Sequence, residues 1–264
     1  MTETIFMIHG MWAGPWCWEN YKEFLEKKGY HCITTTLRHH DIDPSDPPDP
    51  KLGTTSLLDY ANDLEKEILQ LESKPIVMGH SMGGLLAQIL GGRDLAKALV
   101  LLAPASPYGI ISIRPCLIKS FWGILRKWGF WKTANRLTFD EAVYSSLHLL
   151  PEDEQKLIHD KFVYESGRVA SEIGLWFLDP DKASYVDASK IKCPVLVISG
   201  SEDRMTPADI TEMVAKKYEP LSTYKLFENH AHLVIAEPGW QKIADYVSEW
   251  LKSNTTSSNN PPKS

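Results

Sequence analysis

The stretch Pro75–Leu90, PIVMGHSMGGLLAQIL, constrains the fold more than any other part of the chain. A short β-prone apolar run, Pro75–Met78, meets a run of helix formers from Gly84 to Leu90, with only GHSMG between them. The chain must therefore turn from strand to helix within a few residues. Further runs of the same kind occur at Thr4–Ile8, His31–Thr36, Ala98–Leu102, Pro194–Ile198 and Thr223–Phe227. Most are nearly continuous in apolar residues, which predicts strands buried on both faces. Between them lie segments of helical period. Thr54–Leu71 places Leu57, Ala61, Leu64, Ile68 and Leu71 on one stripe, with Thr54 or Thr55 as N-cap. Residues 207–218 and Trp240–Leu251 make two more helices. This alternation predicts an α/β fold, a mostly parallel sheet flanked by helices.

Two regions break the alternation. Residues 105–190 hold several helical patterns and no convincing strand, so they read as a helical insertion after the fourth strand. Residues 253–264, SNTTSSNNPPKS, are of low complexity and are expected to be a disordered tail. A length of 264 residues accommodates one domain with such an insertion.

The net charge of -6 argues against a nucleic-acid partner. Cys17, Cys32, Cys116 and Cys193 form no C-x-x-C pair, which leaves no metal cage or redox dithiol. Histidines and carboxylates gather in the loop Arg38–Pro50, but adjacent residues point to opposite sides and prolines stiffen the rest. No metal or cofactor is expected there. The N-terminus lacks a basic region, and no apolar run approaches the ~20 residues that span a bilayer. These features predict a cytoplasmic protein with reduced thiols. Oligomeric state is left open.

A serine at the apex of the GHSMG turn has strained backbone angles, an exposed hydroxyl and a helix N-terminus beside it. Glycines two residues to either side are required where a Cβ would strike the neighbouring strand or helix. This is the G-x-S-x-G nucleophile elbow. Such a serine needs a base, and the base needs an acid. The fifth strand runs out into SGSEDRMTP, which offers Glu202 and Asp203. The sixth runs out into ENHAHL, which offers His230 and His232. Both loops lie beyond the carboxyl ends of strands, where open parallel sheets build their sites. LAPAS, after the fourth strand, offers no carboxylate, and His80 reads as a structural or wall residue. An oxyanion hole would use the Met82 N–H and a second donor from HGMWAGP, Met11 N–H before Trp12 N–H.

Four stretches, HGM from His9, GHSMGG from Gly79, GSEDRMTP from Gly200 and HLVIAEP from His232, together resemble the α/β-hydrolase superfamily. The likeness is to its compact, cap-bearing esterase and lipase-like members. It implies a core of residues 1–105 and 190–252, with residues 106–189 as a cap over the site. It selects Asp203 over Glu202 and His232 over His230, to give a triad Ser81–Asp203–His232. The implied activity is hydrolysis of carboxylic esters of small or medium apolar substrates through an acyl-enzyme, without a cofactor. One departure is the single His-Gly where other members have a histidine followed by three glycines, which suggests a short oxyanion loop. A lyase or carbon–carbon bond hydrolase on the same triad, or a non-catalytic ligand binder, are the alternatives.

Within the insertion, Arg114–Lys132 sets Leu117, Phe121, Leu125 and Trp128 at helical spacing and carries five basic residues with no acidic one. Its apolar side chains read as core, as walls of an acyl pocket, or as a surface touching lipid. Trp12, Trp122, Trp176 and Phe177 are the candidate substrate contacts.

Overall fold

The computed structural model of the chain describes residues 2–255. Six parallel strands form the main sheet in the order β2-β1-β3-β4-β7-β8. They are β1 (Thr4–Ile8), β2 (His31–Thr34), β3 (Ile76–His80), β4 (Ala98–Leu102), β7 (Val195–Gly200) and β8 (Ser222–Phe227). The register pairs Met7 with Met78, Met78 with Val100, and Leu101 with Val197. Side chains alternate between two cores. Ile5, Met7, Met78, Val100 and Ile198 face α1 (Glu19–Lys27) and α10 (Trp240–Thr255). Phe6, Ile8, Val77, Leu99 and Val197 face α2 (Leu57–Ile68), α3 (Met82–Gly92) and α9 (Ala208–Lys216). Helices on both faces explain why the central strands are apolar throughout. The edge strand β8 is only partly buried, an exception to the buried strands, because it has a neighbour on one side alone.

Helix α2 begins at Leu57, the first residue of its apolar stripe and three residues inside the segment Thr54–Leu71, and neither Thr54 nor Thr55 caps it. Ser56 does: its Oγ accepts the Leu58 N–H at 3.2 Å while the Asp59 carboxylate accepts the Ser56 N–H at 3.0 Å. Thr54 is spent in a short 3-10 turn. The fully buried Leu57, Leu64 and Ile68 each contribute roughly 1.5–3 kcal/mol of burial. At the other end of the chain, α10 runs through Ser253–Thr255, so the expected tail loses its first three residues to the helix. The Thr255 hydroxyl donates to the Leu251 carbonyl at 2.7 Å. The rest of that tail, 256–264, lies outside the described residues.

Between β4 and β7 the chain is mostly short helices: α4 (Pro115–Ser120), α5 (Trp122–Leu125), α6 (Phe139–Ala142), α7 (Glu152–Asp160) and α8 (Gly167–Gly174). It also contains a strand pair missed by the sequence reading, β5 (Ala134–Asn135) antiparallel to β6 (Glu165–Ser166), too short to leave a pattern. Buried polar contacts fasten this segment to the sheet domain. Glu165 accepts from Tyr60 Oη at 2.8 Å and meets His40 Nε2 at 3.1 Å. Glu172 accepts from Ser56 Oγ at 2.7 Å and from the Leu57 N–H at 2.8 Å. Trp12 Nε1 donates to the Asn135 carbonyl at 3.1 Å, and the Val163 N–H donates to the Trp12 carbonyl at 2.8 Å.

Burial opposes charge on His40, but the Glu165 carboxylate outweighs it and raises the histidine above its ordinary value. Glu165→Ala would leave buried His40 without its counter-charge and Tyr60 Oη without its acceptor, so urea unfolding should show a loss of about 1–3 kcal/mol near pH 6. The folded value exceeds the unfolded one, so this contribution is full below the ordinary histidine range and fades as pH rises through the elevated value. The gap between wild type and variant should narrow accordingly at alkaline pH. A variant as stable as wild type at both pH values would show that the pair does not hold the insertion.

Candidate active site

The reversal after β3 is made by Ser81, whose φ of 55° and ψ of −121° are rare for a residue with a side chain. The glycines around it are obligatory. A Cβ on Gly79 would collide with the Gly83 carbonyl, and one on Gly83 with the Ile8 carbonyl at the end of β1. The Ser81 N–H donates to the Leu102 carbonyl at 3.0 Å, and its own carbonyl accepts the Ala105 N–H at 2.9 Å. β3, β4 and α3 therefore share this one residue. Its hydroxyl faces the open carboxyl edge of the sheet.

His232, in the loop after β8, brings Nε2 to 2.9 Å from Ser81 Oγ and Nδ1 to 2.9 Å from Asp203 Oδ2. Asp203, in the loop after β7, accepts the Met205 and Thr206 N–H groups, both at 2.8 Å, and the Thr206 hydroxyl at 2.7 Å. Burial alone would raise its pKa, but His232 and these donors outweigh burial and hold the carboxyl below its usual range. All three side chains are buried. The two rivals are elsewhere: Glu202 is exposed, and His230 Nδ1 sits 3.0 Å from Glu237 Oε1.

The loop carrying His232 is clamped on both sides. Glu237 Oε1 accepts the Ala231 N–H at 2.8 Å, and His80 Nε2 donates to the His232 carbonyl at 2.8 Å. His80 is neutral, its pKa lowered to about 3 by burial and by the neighbouring His232. Its structural reading fits this position.

The turn after β1 approaches from the other side, close enough that a Cβ on Gly10 would stand 3.0 Å from Ser81 Cβ. His9 Nε2 accepts the Leu37 N–H at 3.2 Å, so the proton sits on Nδ1 and is donated to the Gly10 carbonyl at 2.9 Å. Burial, reinforced by His40, lowers its pKa to about 3 and keeps it neutral. The following peptide is trans, so the Met11 N–H points opposite to that tethered carbonyl. Across the turn, Met82 is the first residue of α3, where an N–H has no acceptor within the helix.

Met11, Ser81 and Met82 all line one cavity of about 230 Å³. Among the described residues its wall carries no charged side chain; its polar members are Ser81, Ser106, Ser112 and Thr206. None of the four expected aromatic contacts lines it. Trp12 is buried beneath the insertion, held by Asn135 and packed 5.8 Å from Phe121. Trp122 is 59% exposed. Trp176 and Phe177 line a separate cavity of about 180 Å³, where Trp176 is tied to the Ile110 carbonyl at 3.1 Å. The wall comes instead from Leu117, Phe121, Ile124, Phe130, Ile173 and Met205. The spacing of Leu117, Phe121 and Leu125 was visible in the sequence, but it did not distinguish a cavity roof from a packed core.

Among the described residues, no group of three or more His, Cys, Asp or Glu side chains is placed to hold a metal ion. Also among them, no helix is long and apolar enough to cross a membrane.

The chain is similar in structure to a methylesterase from Arabidopsis, at 15% identity and a TM-score of 0.72 over 96% of this chain and 100% of that one. It is similar to a monoacylglycerol lipase from Paleococcus ferrophilus at 21% identity and 0.69, over 96% of each. Tomato methylketone synthase I, complexed with 2-tridecanone, matches at 15% and 0.71 over 96% of this chain and 99% of that one. At these identities the likeness is one of fold. The model of the alpha/beta hydrolase family matches residues 5–245, and on this match and the sheet, turn and loops described above, the chain belongs to the alpha/beta hydrolase family.

Proposed function

We propose that this protein is a serine hydrolase that cleaves carboxylic esters with a neutral, apolar acyl or alcohol group. The observation that carries the reading is the unbroken hydrogen-bonded line from Ser81 through His232 to Asp203 at the floor of an uncharged cavity. His232 takes the Ser81 proton as Oγ attacks the ester carbonyl. Asp203, ionised, orients the imidazole and stabilises its cation. Met11 and Met82 N–H groups receive the oxyanion, the first aimed by the His9–Gly10 tether and the second left free by the start of α3. The alcohol leaves with the proton from His232, and water, deprotonated by the same histidine, releases the acid. The methylesterase and the lipase among the structural neighbours act on esters by name, and the 2-tridecanone in the third is an aliphatic chain. The 2-tridecanone chain agrees with an apolar acyl group here.

The cavity is smaller than the ~300–1,000 Å³ usual for drug-sized ligands, which favours a short or medium chain. A series of p-nitrophenyl esters should therefore gain up to about fourfold in kcat/KM per methylene until the cavity is full, then decline. Ester chains ending in a carboxylate should be rejected, since among the described residues no cation lines the wall to pair with it. Ser81→Ala should lower kcat about 10⁶-fold and Asp203→Asn about 10⁴-fold. A wild-type protein that turns over no ester and resists a fluorophosphonate would sink the reading. Cleavage of a cyanohydrin or a vinylogous diketone without ester turnover would assign the same residues to a lyase or a carbon–carbon bond hydrolase.

The loop that carries His232 has its own signature in pH. Burial pushes the Glu237 carboxyl up to about 8, so at neutral pH the folded chain holds a proton that the unfolded chain releases. Stability should therefore fall as pH rises from the ordinary carboxylate range to about 8, by up to ~1.4 kcal/mol per pH unit. Glu237→Gln keeps an acceptor for the Ala231 N–H and cannot ionise. Its unfolding free energy should lose that slope while ester turnover persists; equal slopes would show that Glu237 does not titrate in this window.

A further inference from the structure

Most large apolar side chains left exposed on this protein gather on two short pieces of the insertion, residues 111–128 and 177–178. Ile111, Ile113, Trp122, Trp128, Phe177 and Leu178 are between 54% and 95% exposed. Exposed apolar residues scattered singly need no explanation, but a cluster does. Three of the six border a cavity. Ile113 lines both the cavity over Ser81 and the neighbouring one, while Ile111 and Phe177 line the second. Trp128, the most exposed at 95%, stands edge-on to Trp131 at 5.4 Å rather than folding back onto the protein.

The same stretch is cationic in sequence within a chain whose net charge is -6, with the Glu141 carboxylate packed against it at Gly123. Residues 114–132 hold five cations and no carboxylate. Arg114 is engaged by Asp209 at 2.6 Å, and Lys119 lies over the Tyr144 ring at 3.9 Å. Arg126, Lys127 and Lys132 are exposed and lie within ten residues of Trp122 and Trp128 along the chain.

We propose that this rim docks on an anionic lipid surface, with the tryptophans in the headgroup region and the three cations against lipid phosphates and carboxylates. Tryptophan bodies favour that interface, and flanking cations add attraction that depends on local rather than net charge. A second copy of the chain fits the face less well, because symmetric contact would set one predominantly cationic stretch against another. Given the ester chemistry proposed above, docking would open the cavity toward the phase in which apolar esters dissolve. The docking itself is measured without turnover, so its failure and that of the ester reading are separate results.

The test is sedimentation of the full chain with phosphatidylcholine vesicles, with and without phosphatidylserine, at low and high salt, while tryptophan emission is followed. Wild type should pellet with the anionic vesicles at low salt, shift its emission to the blue, and be released by salt. Arg126→Glu with Lys127→Glu should weaken the partition by at least about fivefold per cation. Trp122→Ser with Trp128→Ser should weaken it and remove the spectral shift. Both pairs should retain wild-type turnover of a soluble short-chain ester and the wild-type circular dichroism spectrum. No partition onto anionic vesicles, equal partition of all variants, or a dimer in light scattering that the tryptophan substitutions dissociate would each overturn the proposal.

Discussion

Ser81 holds a conformation that side-chain-bearing residues avoid, and the carboxyl edge of the sheet is organised around keeping it there. A residue strained in this way costs of order 1–3 kcal/mol and persists only where its surroundings over-determine it. Here they do. Gly79 lies against the Gly83 carbonyl and Gly83 against the Ile8 carbonyl, so the elbow meets the end of β1 backbone to backbone. Hydrogen bonds from Ser81 to Leu102 and from Ala105 to Ser81 fix the third side. The turn that follows β1 begins one residue beyond Ile8. Its distance from the serine is thereby set by main-chain contacts, which no rotamer change can relax.

Histidines built into this edge illustrate how burial and partners divide one side chain among different tasks. His9 and His80 are buried without a carboxylate partner, and both are held neutral. Neutrality suits them as struts: each fixes a carbonyl, at Gly10 and at His232, through a single N–H. His40 is equally buried but faces Glu165, and is pushed the other way. His232 combines both situations, with Asp203 on one nitrogen and Ser81 on the other. A ring held by a carboxylate on one nitrogen and free to meet a hydroxyl with the other must be of that last kind, and only His232 stands between Asp203 and Ser81.

The elements legible in the sequence were those whose physics leaves a pattern in residue type. Strands covered on both faces must be apolar throughout, and a backbone contact that excludes a Cβ must be glycine, so the sheet and the elbow could be read directly. Spacing narrowed the acid to Glu202 or Asp203 and the base to His230 or His232, and went no further. Neighbours distinguish the members of each pair: Glu202 is exposed and His230 is engaged by Glu237, whereas Asp203 and His232 lie in line with Ser81. The cap of α2 was a misreading of available information, since Ser56 followed by Asp59 at the third helical position is a capping box. The cavity wall left no such pattern. Aromatic residue type drew attention to Trp12, Trp122, Trp176 and Phe177, whereas the wall is set by which face of α4 and α5 turns inward, and a stripe at helical spacing looks alike over a core and over a cavity.

The insertion resolves a conflict between an apolar wall and a defined position. Contacts among Leu117, Phe121, Ile124 and Phe130 are non-directional, and a lining built from them alone could slide over the sheet without losing much burial. The fastening comes from other residues and from directional interactions: Glu165 with His40 and Tyr60, Glu172 with Ser56 and Leu57, Asn135 and Val163 with Trp12. Each of these is buried, so a slide would leave polar groups unpaired in a low dielectric, which is far more costly than rearranging methyl groups. Trp12 adjoins Met11 in the turn beside Ser81, so the insertion is anchored to the very segment that faces the serine. Register of the wall and geometry of the site are in this way coupled through hydrogen bonds, while the cavity wall carries no charged side chain among the described residues.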